Sequence, residues 1–139
     1  MNMPIKITTF SALPHAMKKL LVICCLLAAG PASAEWVKMS ENDDADVYID
    51  ATTIRKEGSL RTVWQLHDEK KRNRDGTMSS RIKWEYDCSG ERVRMISATS
   101  HSGSMATGKK LYNVYKASEW RDIAPATMGQ NGLKVVCAE

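Results

Sequence analysis

The chain has 139 residues, and its 20 lysines and arginines against 16 acidic residues give a formal net charge of +4. From Glu35 onward, 17 basic residues face 16 acidic ones, so the net charge of that part is only +1. A stretch of about 105 residues has the size of one domain, which excludes a two-domain architecture and a Rossmann or barrel enzyme. The near-neutral charge balance argues against a nucleic-acid binder.

The first residues have the composition of a secretory signal. Lys18 and Lys19 precede an apolar run of about ten residues, which is too short to cross a bilayer. The run ends in a glycine and a proline, and the small residues at 32–34 match the pattern that signal peptidase cleaves. We predict a signal peptide at 1–34, with a translation start as late as Met17, and no transmembrane segment after its cleavage.

Export determines the redox state of the cysteines in the remaining single domain at 35–139. This domain keeps two cysteines, Cys88 and Cys137. An exported chain enters an oxidising compartment, where an even pair of cysteines forms a disulfide. No histidine lies at metal-site spacing from either cysteine, so we expect a disulfide, no metal and no cofactor.

The central part of the domain shows the period-two alternation of β-strands. The pattern begins at 47–49, continues more loosely through 60–66 and is strict at 81–88. Further strands are expected at 93–95 and 111–115. The side chains expected on buried faces are Leu60, Thr62, Trp64 and Leu66 in the second strand, and Ile82, Trp84, Tyr86 and Cys88 in the third.

Short polar connections and a helical C-terminus complete the predicted fold. Glycines at 58 and 90 lie in tight turns, which join consecutive strands into an antiparallel meander. Pro125 suits the first turn of a helix, and apolar residues after it recur at helical spacing. We predict an α+β fold, in which an antiparallel meander sheet carries one helix near 126–137, and the disulfide links this helix to the sheet.

Two motifs that could carry catalysis are incomplete. The segment GSMATGKK at 103–110 matches the start of a phosphate-binding loop, but Lys110 stands where serine or threonine must hold magnesium. His67 and His101 have no serine in a nucleophile elbow, so both are expected to be polar strand-end or loop residues. We therefore predict a protein that is not an enzyme.

Basic residues concentrate in one connection between strands. Lys70, Lys71, Arg72 and Arg74, hereafter the cationic loop, form a local positive field on a nearly neutral domain. They are the candidate partner-binding residues, and their partner would be an acidic protein segment, an anionic lipid headgroup or a polyanionic glycan. Acidic neighbours flank the run, so a solvated loop tip without a partner remains the alternative.

Several segments of the domain together resemble the surface-adhesin protein E family of Gram-negative bacteria. They are EWVKMSENDDADVYID, TIRKEGSLRTVW, WEYDC, HSGSMATGKK, SEWRDIAP and LKVVC, and they cover essentially all of 35–139. The resemblance implies an antiparallel sheet of about six strands, with one C-terminal helix joined to it by the Cys88–Cys137 disulfide. It also implies a non-enzymatic surface protein that binds host matrix or plasma proteins such as laminin, vitronectin and plasminogen, and that can form a homodimer.

Two functions follow as expectations. The first is an exported, adhesin-like binding domain at the outer cell surface. The alternative is a periplasmic structural or envelope accessory protein that pairs with another bacterial protein through a sheet edge. In both cases the partner is a protein, with a polyanionic glycan as a further candidate, and nucleic acid is excluded. A third and weaker hypothesis is an exported hydrolase that uses His67 or His101.

Overall fold

The computed structural model describes residues 34–138 and Pro14. The signal peptide expected at 1–34 therefore lies almost entirely outside the described residues. Within the described part, no helix is long and apolar enough to cross a membrane.

One antiparallel sheet contains all the strands of the described part, and its six main strands follow one another in chain order. They are β1 (Val37–Glu41), β2 (Ala45–Glu57), β3 (Leu60–Glu69), β4 (Ser79–Asp87), β5 (Arg92–His101) and β6 (Lys110–Val114). A two-residue strand, β7 (Arg121–Asp122), also pairs with β5. The chain ends in helix α1 (Met128–Cys137). The predicted meander with a C-terminal helix is confirmed.

Helix α1 covers one face of the sheet, which we call the helix-covered face. The core beneath it consists of buried side chains from four strands and from the helix, namely Ile49, Val63, Tyr86, Val93 and Val136. The helix begins after Thr127, whose hydroxyl accepts a hydrogen bond from the amide of Gln130, as an N-cap residue does. The opposite side of the sheet is the open face, which carries no α-helix among the described residues.

The prediction that Trp64 is a core residue is wrong, whereas Trp84 packs against the core. Val63, rather than Trp64, is paired with Trp84 across β3 and β4, so the two tryptophans point to opposite faces. Trp64 lies on the open face, where the guanidinium of Arg81 is 4.4 Å from its ring centroid. The alternation correctly predicted β3 but not which of its side chains face the helix. Gln65 shares the helix-covered face with Val63, and a polar residue there hides the pattern.

The disulfide joins Cys88, directly after β4, to Cys137, the last residue of α1. The two Cα atoms are 5.8 Å apart. The predicted pairing is therefore confirmed, and it ties the C-terminal end of the helix to the sheet.

The glycine-rich segment 102–109 folds against one end of the open face. It contains the 3-10 helix Ser104–Ala106. Asp68 accepts a hydrogen bond from the amide of Met105 at 2.7 Å, and Ser79 donates one to the carbonyl oxygen of Gly103 at 2.6 Å. Leu66, two residues before Asp68 on the same face, is fully buried. The segment connects the antiparallel strands β5 and β6, whereas a phosphate-binding loop connects a strand to a helix.

Candidate partner-binding surface

The cationic loop connects β3 to β4, and two of its four residues are held by bonds within the domain. The Nζ of Lys70 donates to the carbonyl oxygen of Asn42 at 2.6 Å and lies 3.8 Å from a carboxylate oxygen of Asp46. The Nη1 of Arg72 donates to the carbonyl oxygens of Gly76 and Ser102, both at 2.8 Å. These two side chains therefore shape the loop.

The other two residues of the cationic loop, Lys71 and Arg74, are exposed and form no ion pair within residues 34–138. The acidic residue next to Arg74 in sequence is bonded to other groups. Asp75 accepts hydrogen bonds from the hydroxyl of Tyr112 and the amide of Thr77, and these bonds lower the pKa of its carboxyl group. Lys71 lines a pocket with Asp43, Asp44 and Glu69, whose charges offset its own. Arg74 is therefore the residue of the cationic loop whose charge is most available to a partner.

Next to the cationic loop, strand β6 presents large apolar side chains to solvent. We call Leu111, Tyr112, Val114 and Tyr115 the β6 edge. Their exposed fractions range from 37% to 81%. Within 34–138, β6 pairs only with β5, so one row of its backbone amides and carbonyls has no strand partner. An exposed, apolar edge strand of this kind is a template for pairing with another chain.

The connection that carries the cationic loop contacts the β6 edge through the residues at 75–77. The hydroxyl of Tyr112 is 2.9 Å from the hydroxyl of Thr77 and also bonds Asp75. Leu111 lies beside Gly76, because a Cβ atom placed on that glycine would be 3.9 Å from the Cδ1 of Leu111. The sequence predicted the strand at 111–115 but not its role. The signal for it was the run LYNVY, which has apolar side chains on both faces.

The two histidines lie on opposite faces of the sheet, so the fold does not bring them together. His67 is not a polar strand-end residue as expected: it lies within β3 on the helix-covered face, 6.5 Å from Trp84 between ring centroids. His101 ends β5 and is buried. It lies on the open face, since it pairs with Ser79. No cluster of side chains suited to a metal ion occurs in the described part of the chain.

Burial makes the stability of the domain depend on pH near neutrality. Desolvation lowers the pKa of His67 from its ordinary value near 6.5. Burial also lowers the pKa of His101, and the charges of Lys110 and Arg81 add to this effect. Because the unfolded chain binds protons more readily below about pH 6.5, the free energy of unfolding decreases as the pH falls below this value.

We expect the free energy of unfolding of His67→Gln to decrease less than that of the wild type between about pH 7 and 5. Urea unfolding at a series of pH values measures the difference. His101→Gln serves as a second variant, and the double variant should show the weakest dependence. Parallel wild-type and double-variant profiles over this range would exclude the histidines as the cause.

The fold and this surface define a class of small domain in which a one-sided antiparallel sheet carries a disulfide-fixed helix and an exposed edge strand. The model of the surface-adhesin protein E family matches residues 36–138, and the chain belongs to this family. The family is named for a surface adhesin, which supports an adhesin-like binding role. A comparison with curated proteins found no match.

Solved structures with a similar fold come from Haemophilus influenzae protein E. One crystal form aligns with a TM-score of 0.57 at 16% identity, over 79% of this chain and 94% of that chain. The selenomethionine form aligns with a TM-score of 0.57 at 17% identity, over 79% and 92%. Protein E of a non-typeable strain aligns with a TM-score of 0.55 at 16% identity, over 79% and 81%. At these identities the likeness concerns the fold.

Proposed function

We propose that this domain is an exported, non-enzymatic binding module whose protein partner docks on the β6 edge. The observation that carries the proposal is the exposure of three large apolar side chains on a strand with one unpaired backbone edge, and of a fourth, Tyr115, directly after it. An extended partner segment gains main-chain hydrogen bonds from such an edge, and its alternate side chains contact the apolar surface. Family membership supports a binding role.

The cationic loop gives this surface a preference for acidic partners. Arg74 directly precedes Asp75, which bonds Tyr112 of the β6 edge, whereas Lys71 lines a pocket with Asp43, Asp44 and Glu69. Neither forms an ion pair inside the described domain. Their charges would attract an acidic segment from a distance and add a salt-dependent part to the affinity. The preferred partner is therefore an extended polypeptide with apolar side chains and acidic neighbours.

The place of action is the outer cell surface in the leading proposal, with host matrix or plasma proteins such as laminin, vitronectin and plasminogen as partners. A periplasmic location, with a bacterial envelope protein as partner, is the alternative. The signal sequence and the disulfide support export in both cases. Protease treatment of intact cells, with lysed cells as control and an antibody to the domain as readout, distinguishes the two. Loss of signal from intact cells supports the outer surface, whereas protection excludes host partners.

Substitutions on the β6 edge test the proposed surface directly. We expect Val114→Lys combined with Tyr115→Lys to weaken binding of the partner at least about tenfold, because two apolar contacts are replaced by charges on the strand that pairs. Surface plasmon resonance with the immobilised partner measures the loss. Both positions are exposed, so circular dichroism and the thermal midpoint should stay unchanged. Unchanged affinity in a folded variant would exclude the β6 edge as the docking site.

Charge reversal tests the contribution of the cationic loop. We expect Lys71→Glu with Arg74→Glu to reduce the affinity and to flatten its dependence on salt concentration. The matched control is Arg55→Glu with Lys56→Glu, which reverses two exposed charges at the β2–β3 turn, at the other end of the sheet. Equal effects of the two pairs would show that net charge, and not the cationic loop, governs binding.

A second copy of the chain is a further possible occupant of the β6 edge, as the family resemblance implies. Sedimentation velocity of the mature domain at several concentrations measures the oligomeric state. If a dimer is present and the Val114→Lys, Tyr115→Lys variant is monomeric, the β6 edge serves self-association. If the wild type is monomeric, the edge remains free for another protein.

A further inference from the structure

A cavity of about 230 Å³ opens on the helix-covered face, beside the first turn of α1. Met39 of β1, Val47 of β2 and Met128 of α1 provide apolar wall, and Trp84 contributes its indole ring. Met128 and Gly129 are the first two residues of α1, so the cavity lies where the helix begins. None of the residues that line it belongs to the β6 edge or to the cationic loop.

The size of this cavity suits one aromatic ring with a short substituent. An apolar cavity of about 150 Å³ is large enough to bind benzene. The larger volume here leaves room for a ring and a side chain of two or three atoms. Small ligand sites typically combine such apolar walls with a few polar groups that orient the ligand.

Two of the polar groups around the cavity, on Trp84 and Arg121, can only donate hydrogen bonds. The indole Nε1 of Trp84 is buried and has no hydrogen-bond partner in the described part of the chain. This atom has almost no accessible surface, so a ligand in the cavity would contact the indole ring rather than its Nε1. The exposed guanidinium of Arg121 lies at the rim, 5.8 Å from the centroid of the Trp84 ring.

The electrostatic balance of the cavity favours an anion. No aspartate or glutamate contributes to its lining within residues 34–138. Arg121 forms no ion pair in this part of the chain. The amides of the first turn of α1, at Met128 and Gly129, add partial positive charge at the same rim. His67 also lines the cavity.

We propose that this cavity is a binding site for a small aromatic carboxylate. The ring occupies the apolar pocket between Val47, Trp84 and Met128, and the carboxylate lies at the rim with Arg121. Two sources supply this chemistry: a free aromatic acid, and the terminal carboxylate of a peptide whose last residue is aromatic. The site is independent of the β6 edge, so its failure leaves the proposed partner surface untouched.

Titration of the 15N-labelled domain with phenylacetate tests the site by NMR. The indole resonance of Trp84, assigned with Trp84→Phe, should shift in a saturable manner with a Kd below about 1 mM. Phenylacetamide, which has the same ring but no charge, should bind about tenfold more weakly, because it lacks the charge-assisted hydrogen bond to Arg121. A peptide ending in phenylalanine, compared with its C-terminal amide, distinguishes the two sources.

A matched pair of variants tests the role of the arginine. Arg121→Met should weaken phenylacetate about tenfold, whereas Arg55→Met, which removes another exposed arginine at the β2–β3 turn, should leave its affinity unchanged. An unshifted Trp84 indole resonance, or equal affinities for the acid and the amide, would overturn the proposal without any variant. Unchanged binding by Arg121→Met would overturn the assignment of the carboxylate to this rim.

Discussion

Removal of the Cys88–Cys137 disulfide is expected to lower the free energy of unfolding by about 4 kcal/mol. The bridge closes a loop of 49 residues, and in the chain-entropy model a loop of this length restricts the unfolded chain by that amount. The free energy of unfolding of a domain is typically about 5–15 kcal/mol. The double variant Cys88→Ser, Cys137→Ser should therefore lose a large part of its stability.

Helix α1 should be the first element to respond to this change. It has only 10 residues, and isolated helices shorter than about 12–15 residues are marginal in water. Its attachment depends on the bridge and on a few buried side chains, of which Val136 is fully buried. In the double variant we expect amide hydrogen exchange to accelerate most in α1, and less in the central strands β3 and β4.

Urea unfolding followed by tryptophan fluorescence measures the loss. The reductant control is specific: it should destabilise the wild type and leave the double serine variant unchanged. A decrease below about 1 kcal/mol would mean that packing of α1 alone holds the helix and that the chain-entropy estimate does not apply here.

The strict alternation at 81–88 was sufficient to identify β4 and its buried face, because Tyr86 and Cys88 both meet α1. The same reasoning failed for the faces of β3. There Gln65 is buried on the helix-covered face, while Leu66 is buried on the open face next to segment 102–109. A contact between residues nearly forty positions apart decides this burial, and alternation within one strand carries no information about it.

The candidate surface was only partly predictable for a similar reason. The basic residues of the cationic loop are visible in the sequence, but the bonds that hold Lys70 and Arg72 depend on Asn42 and Ser102, which lie in other connections. Strand β1 alternates over only four residues of VKMSE, which is too short a run to identify it, and it is defined by its pairing with β2. The β6 edge likewise depends on topology, because its exposure follows from the lack of a neighbouring strand beyond β6 in the described part.

The second large effect is expected from the two glycines of α1, which should respond in opposite directions to the same substitution. Gly132 is buried against Tyr86, and a Cβ atom there would overlap the Tyr86 hydroxyl and lie 3.3 Å from the Nε2 of Gln65. Gly129 has room, since a Cβ atom would meet its nearest neighbour, Ile123, at 3.5 Å. The sequence alone showed both glycines only as weak helix formers.

We expect Gly132→Ala to lower the free energy of unfolding by about 2 kcal/mol, because the added methyl group overlaps the Tyr86 hydroxyl and forces this buried side chain to move. The Nε2 of Gln65 donates a hydrogen bond of 2.9 Å to the Tyr86 hydroxyl. A displaced Tyr86 weakens this bond and leaves buried polar atoms unsatisfied. Burial already raises the pKa of Tyr86 to about 12, and an opened contact should move this pKa back toward the ordinary value of a tyrosine.

Gly129→Ala, in contrast, should raise the free energy of unfolding by about 0.5–1 kcal/mol, because alanine restricts the unfolded chain and favours the helix. Urea unfolding of both variants under one set of conditions gives the difference directly, and alkaline absorbance titration reports the pKa of Tyr86. Equal stabilisation by the two alanines would show that α1 does not approach Tyr86 closely at Gly132. The packing of the helix on the sheet would then differ from that described above.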